Sequence, residues 1–154
     1  MKARIIRAVS VPPAGEQARK YGIWFTKRMQ AALWHLSPGQ RIVAHSHPEA
    51  DSLLTVLDGA GEYFVYEDRD PDPAVCYTSE PDKVVVPPPP GDPGTPTATA
   101  VESGAIALTP AGRYYGLVNT GPVALVALAV TAPDPSHSVY SVRNPAPAAD
   151  DARQ

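Results

Sequence analysis

Nineteen prolines in 154 residues set the first limit on what this chain can become. Each proline removes a backbone donor, and its ring clashes with the preceding turn, so long helices are disfavoured. The alternative is a chain of short strands, and the intervals between turn signals suit it. Short β-prone runs fall at residues 4–9, Tyr21–Thr26, Ala31–Leu36, Arg41–His47, Leu53–Leu57 and Glu62–Tyr66. Ser37-Pro38-Gly39, His47-Pro48 and Asp58-Gly59 separate the later ones. Three further runs, Ala105–Thr109, Arg113–Val118 and Val123–Thr131, are divided by Pro110-Ala111-Gly112 and by Asn119-Thr120-Gly121-Pro122. Strands at this spacing predict an all-β sandwich or barrel.

With 44% apolar and 19% charged residues the chain is of globular composition, and its length suits one domain. The expected organisation is an N-terminal pair of strands over residues 1–30, a barrel over 31–132 and a tail over 133–154. The barrel carries a proline-rich insertion at 67–103, where Pro87 to Pro90 and Gly91-Asp92-Pro93-Gly94-Thr95-Pro96 predict extended backbone. Within it, Lys83–Val86 reads as an edge strand. So long a connection is either a lid over the pocket or a plain surface loop.

A net charge of −3 and no basic cluster exclude the electrostatic footprint of a nucleic-acid binder. Cys76 is alone, so no internal disulfide forms and it reads as an inert thiol. The first fifteen residues lack an uninterrupted apolar core, and the longest apolar run, Val123–Val130, is far below the ~20 residues of a membrane helix. The expectation is a soluble cytoplasmic protein with a small-molecule partner.

His45 and His47 stand two apart on a predicted strand, so both imidazoles project from one face. Two imidazoles on one rigid strand supply half of a metal site, and a third ligand at least is needed to complete it. They also read as a substrate-binding or acid–base pair, because their ordinary pKa lies near working pH. Arg41 shares their parity, and reads either as an interior carboxylate binder or as a solvated side chain at a strand start. His35 is a weaker site candidate and His137 weaker still.

The pattern of Gly39, five residues, His45-Ser46-His47, a short acidic stretch and Gly59 resembles the first motif of the cupins. Gly104, five residues, Pro110-Ala111-Gly112, two residues, Tyr115, three residues and Asn119 resemble the second. The two motifs span residues 39–119. The resemblance implies an antiparallel, jelly-roll-like β-barrel in which two histidines, a glutamate and a third histidine hold one divalent metal: zinc, iron, nickel or manganese. Two of those positions depart, since the glutamate position is Ser52 and the second-motif histidine is Tyr115. Asp51 or Glu49 would then complete a shell of His45, His47, Asp51 and Tyr115, or the site is metal-free. Tyr115 reads either as a donor to a developing enolate or as a packed core phenol, and Tyr114 as facing outward. Gly39, Gly59, Gly104 and Gly112 suit turns that need positive φ.

The function expected from these residues is that of a small-molecule enzyme using His45, His47, Tyr115 and Arg41 in a barrel pocket. By analogy within the cupins it is a cyclase- or isomerase-like tailoring enzyme of a polyketide-like pathway. The alternatives are a non-catalytic binding barrel and a metal-dependent dioxygenase. A homodimer is expected from the same resemblance, through the N-terminal strand at residues 4–9.

Overall fold

The computed structural model describes residues 2–8, 14–66, 96–133 and 139–140, and these form ten strands without an α-helix. In chain order they are β1 (Arg19–Thr26), β2 (Met29–Leu36), β3 (Arg41–Ser46), β4 (Asp51–Asp58) and β5 (Ala60–Tyr66), then β6 (Thr97–Glu102), β7 (Ile106–Thr109), β8 (Tyr114–Val118), β9 (Leu125–Ala132) and β10 (Val139–Tyr140). One sheet has the order β1-β2-β9-β4-β7 and the other β10-β3-β8-β5-β6, with antiparallel pairing throughout. This is the expected all-β jelly roll. Among the described residues no ladder joins the edges of the two sheets, so the expected barrel is two facing sheets.

Alternation along the strands builds the space between them. On β4, Ser52, Leu54 and Val56 are buried while the residues between them are not, as period-two patterning requires. Leu54, Val56, Leu125 and Ala127 from the first sheet meet Ile42, Tyr63, Tyr115 and Leu117 from the second in one cluster. Each fully buried aliphatic side chain there contributes about 1.5–3 kcal/mol relative to exposure. Residues of opposite parity on the second sheet, Ala44, Phe64, Tyr66 and Tyr114, form a separate buried cluster on its other face. Tyr114 thus points away from the inter-sheet space, as alternation predicts, but it is buried.

The turns lie where the motif glycines stand. Gly39, Gly59, Gly104 and Gly112 all have positive φ, between 82° and 93°. At Gly59 a Cβ would also meet the Ala124 carbonyl oxygen at 2.5 Å, so the tight turn between β4 and β5 excludes side chains twice over. Asn119 ties the end of β8 to its surroundings. Its Nδ2 donates to the carbonyls of Leu36 and Val123, both at 2.8 Å, and its Oδ1 accepts from the Gly121 amide at 2.9 Å.

Three expectations need correction. Residues 2–7 form no strand, and Ile5 is 98% exposed, because nothing among the described residues pairs with that segment. Residues 4–8, the described part of the expected dimer edge, thus form no strand within the chain. Thr97–Glu102, placed inside the insertion, is a strand on β5; its small, exposed residues give no apolar pattern. Val139–Tyr140, placed in the tail, pairs with β3. Lys83–Val86, Cys76 and His137 lie outside the described residues. No helix among the described residues is long and apolar enough to cross a membrane.

Candidate functional site

The site begins with an irregularity in β3. Ile42 pairs with Leu117 of β8 and His45 with Tyr115, so Val43 and Ala44 together stand against the single residue Gly116. This β-bulge re-aims the strand. Directly paired residues share a face, so Ile42 and His45 both look into the inter-sheet space although they are three apart. Simple alternation puts Arg41 on the face of His45. The bulge reverses that: Arg41 pairs with Val118, on the side opposite Ile42, and although buried it does not line the inter-sheet cavity.

His45, His47 and Tyr115 do come together, as the sequence leads us to expect. Their ring centroids lie 5.0 Å apart for the two histidines, 4.6 Å for His45 and Tyr115, and 6.3 Å for His47 and Tyr115. All three are buried and line a cavity of about 240 Å³ between the sheets. His47 follows the end of β3, and its carbonyl accepts from the Gly112 amide at 3.0 Å, so the second-motif turn positions the first-motif histidine.

His45 Nδ1 lies 2.8 Å from the Val43 carbonyl oxygen. A carbonyl only accepts, so Nδ1 carries the proton and Nε2 is the basic nitrogen. Burial pushes the His45 pKa down to about 4; the bond to Val43 opposes this, and the nearby Lys20 charge reinforces it. At neutral pH His45 is therefore an uncharged imidazole.

The facing sheet presents a polar row. Gln30, Thr131, Ser52 and Thr109 are register partners across β2, β9, β4 and β7. Gln30 and Thr131 line the cavity, and the Thr109 and Tyr63 hydroxyls share a hydrogen bond across the two sheets. Ser52 is 5% exposed, and its Oγ has no hydrogen-bond partner among the described residues. A buried, unsatisfied hydroxyl thus occupies the place where the cupin pattern has a carboxylate.

Asp51 does not replace that carboxylate. It is exposed, and its Oδ1 accepts from the Ala111 amide at 2.9 Å, clamping the start of β4 to the turn before β8. Glu49 is exposed as well. Among the described residues no three His, Cys, Asp or Glu side chains are grouped for a metal. Beside the two imidazoles and the phenol the cavity holds the Gln30 amide and the Thr131 hydroxyl, but no carboxylate among the described residues. This set does not fit the four-ligand cupin pattern, and what it offers a substrate directly is a basic nitrogen beside a hydroxyl donor.

His35 does not reach the cavity, because Trp34, of opposite parity, lines it instead. Sequence reasoning missed Lys20, Gln30 and Thr131 as lining residues. Lys20 faces Trp34 across β1 and β2, which only the register of that pair discloses. Thr131 sits at the end of an apolar run and carries no motif signal.

Comparison with known proteins bears on the fold. No family model matches the chain, and no curated protein matches it either. Solved structures do. A protein with a double-stranded β-helix domain from Klebsiella pneumoniae is similar with a TM-score of 0.68 and 22% identity, covering 92% of this chain and all of that one. An RmlC-like cupin from Desulfovibrio desulfuricans aligns at a TM-score of 0.60 and 16% identity over 87% of this chain and 98% of its own. An oxalate oxidase in complex with glycolate aligns at 0.56 and 15%, over 80% of this chain and 53% of its own. These likenesses show that the chain has the cupin fold.

Proposed function

We propose, with the cupin fold as premise, that this chain is a small-molecule enzyme performing metal-free acid–base chemistry on a carbonyl- or phenol-bearing substrate, in the manner of an isomerase or cyclase. The carrying observation is that a neutral imidazole, His45, and the Tyr115 phenol share one buried cavity wall with ring centroids 4.6 Å apart. In this reading His45 Nε2 takes a proton from the carbon next to a carbonyl, and the Tyr115 hydroxyl donates a hydrogen bond to the enolate oxygen as it gains charge. Where a double bond conjugates with the enolate, returning the proton to the far carbon isomerises the substrate. Attack of the enolate carbon on a second carbonyl of the same molecule closes a ring, and the alkoxide so formed takes the proton back from His45.

A pKa of about 4 keeps His45 unprotonated at neutral pH but makes it a weak base. It therefore suits acidic protons, such as those between two carbonyls or on a phenol, better than an ordinary ketone. His47, 5.0 Å from His45, stands where a second proton acceptor would serve.

The test is a panel of small 1,3-dicarbonyl and phenolic compounds incubated with the full chain in deuterated buffer. Deuterium incorporation or ring closure is followed by NMR. Turnover of a panel member should fall by about 10²–10⁴-fold in His45→Gln, and Tyr115→Phe should lower it as well. Turnover that survives both substitutions refutes the assignment. The orphaned Ser52 and the substituted Tyr115 position favour a second reading, a binding protein without catalysis. Saturable binding in wild type with no turnover of any bound member would establish that instead.

A further inference from the structure

The cavity wall is unbalanced in charge. Its polar side chains are Lys20, Gln30, His45, His47, Tyr115 and Thr131, and no aspartate or glutamate lines it among the described residues. Lys20 is the one formal charge in that set. Its Nζ lies 5.8 Å from the centre of the Trp34 ring, its register partner, and among the described residues no carboxylate pairs with it. Lys20 stays partly solvent-exposed at the rim, while the wall beyond it is apolar, with Ala32, Trp34, Ile42 and Leu54.

An ammonium at the rim of a pocket that has one apolar wall and, among the described residues, no carboxylate is a recognition element for an amphipathic anion, with the charge at the rim and the hydrocarbon against that wall. The size is restrictive too. Ligand pockets commonly run from about 300 to 1,000 Å³, and this one is about 240 Å³. We infer that the cavity takes a small monoanion with a single ring or an equivalent apolar body, its carboxylate, phenolate or enolate paired with Lys20. This narrows the substrate class of the site proposed above and rests on that cavity being the ligand site.

Geometry supports it: Lys20 is exposed, lies over the Trp34 ring that lines the cavity, and its charge acts on the buried His45.

Isothermal titration calorimetry with phenylacetate and its neutral twin phenylacetamide tests the inference. Wild type should bind the anion at least about tenfold more tightly than the amide, as charge-assisted bonds allow. The gap should close to about twofold in Lys20→Met and remain in Lys20→Arg. Raising sodium chloride from about 0.05 to 0.5 M should weaken the anion only. Equal affinities in wild type, or a gap that persists in Lys20→Met, overturn the anion assignment and leave the acid–base reading standing. A Lys20-dependent gap in a protein whose turnover ignores His45 keeps the anion site and removes the catalytic reading. No binding of either probe at about 10 mM overturns the inference together with the cavity as ligand site.

Discussion

Acidification should unlock the fold through His45. In the folded chain its pKa is about 4, against 6.5 for an unburied histidine. Between those values the unfolded chain holds a proton that the folded chain refuses, so stability falls as pH drops from 6.5 toward 4 and is fully retained above 6.5. At about 1.4 kcal/mol per pH unit, the limiting loss is about 3 kcal/mol. At pH 5 the linkage expression, RT ln[(1 + 10^1.5)/(1 + 10^−1)], gives about 2 kcal/mol. Urea denaturation at pH 7.5, 6.5, 5.5 and 5.0 measures it, with EDTA present because a cation on the imidazole would compete with the proton. The control is His45→Gln, which keeps a polar side chain but cannot titrate, so contributions from all other groups cancel in the difference. Wild type should lose about 2 kcal/mol more than the variant between pH 7.5 and 5.0. Parallel curves, within about 0.5 kcal/mol of each other, would show that burial does not lower the His45 pKa and would refute the linkage.

Other substitutions test the frame around the site. Asn119→Ala strands the Leu36 and Val123 carbonyls and the Gly121 amide; at about 1 kcal/mol per lost bond the cost is about 3 kcal/mol, read as a fall in Tm of roughly 6–12 °C. Gly116→Ala drives a methyl into the Ile42 carbonyl and the Phe64 ring, and chemical denaturation should show a loss of about 1–3 kcal/mol. Ser52→Ala removes a buried hydroxyl that satisfies nothing; its midpoint in urea should be unchanged or higher by up to about 1 kcal/mol equivalent, and a clear loss would mean the hydroxyl is partnered.

The strands most legible in the sequence are β-prone runs with glycine or proline in the turns at both ends. β3, β8 and β9 are examples, and the four motif glycines all adopt the backbone anticipated for them. β6 is invisible because its exposed Thr and Ala residues bury almost nothing. His45, His47 and Tyr115 can be placed together because two spaced motifs fix two strands that pair. Period-two reasoning misplaces Arg41 because it assumes an unbroken ladder, and an inserted residue leaves no mark in a run such as Arg41-Ile42-Val43-Ala44. Proximity in sequence makes Asp51 a candidate ligand, whereas its carboxylate is committed to the Ala111 amide. Lys20 carries no signal of its own, since a lysine on a strand is ordinary; its meaning comes from a wall that, among the described residues, holds no acid.

The extra residue in β3 acts on this protein as a phase shift acts on a wave. Upstream of Val43 one set of side chains is in step with the interior, downstream the other set is, and the imidazoles belong to the second. Deleting Val43 or Ala44 would bring the strand back into step with β8 from Arg41 onward. If the upstream half held its place, His45 would swing to the outer face; if the downstream half held, a guanidinium would enter among Leu36, Leu117 and Leu125. Either way the chemistry and the packing could not both survive, so the length of this short stretch is as much a part of the site as the histidines are.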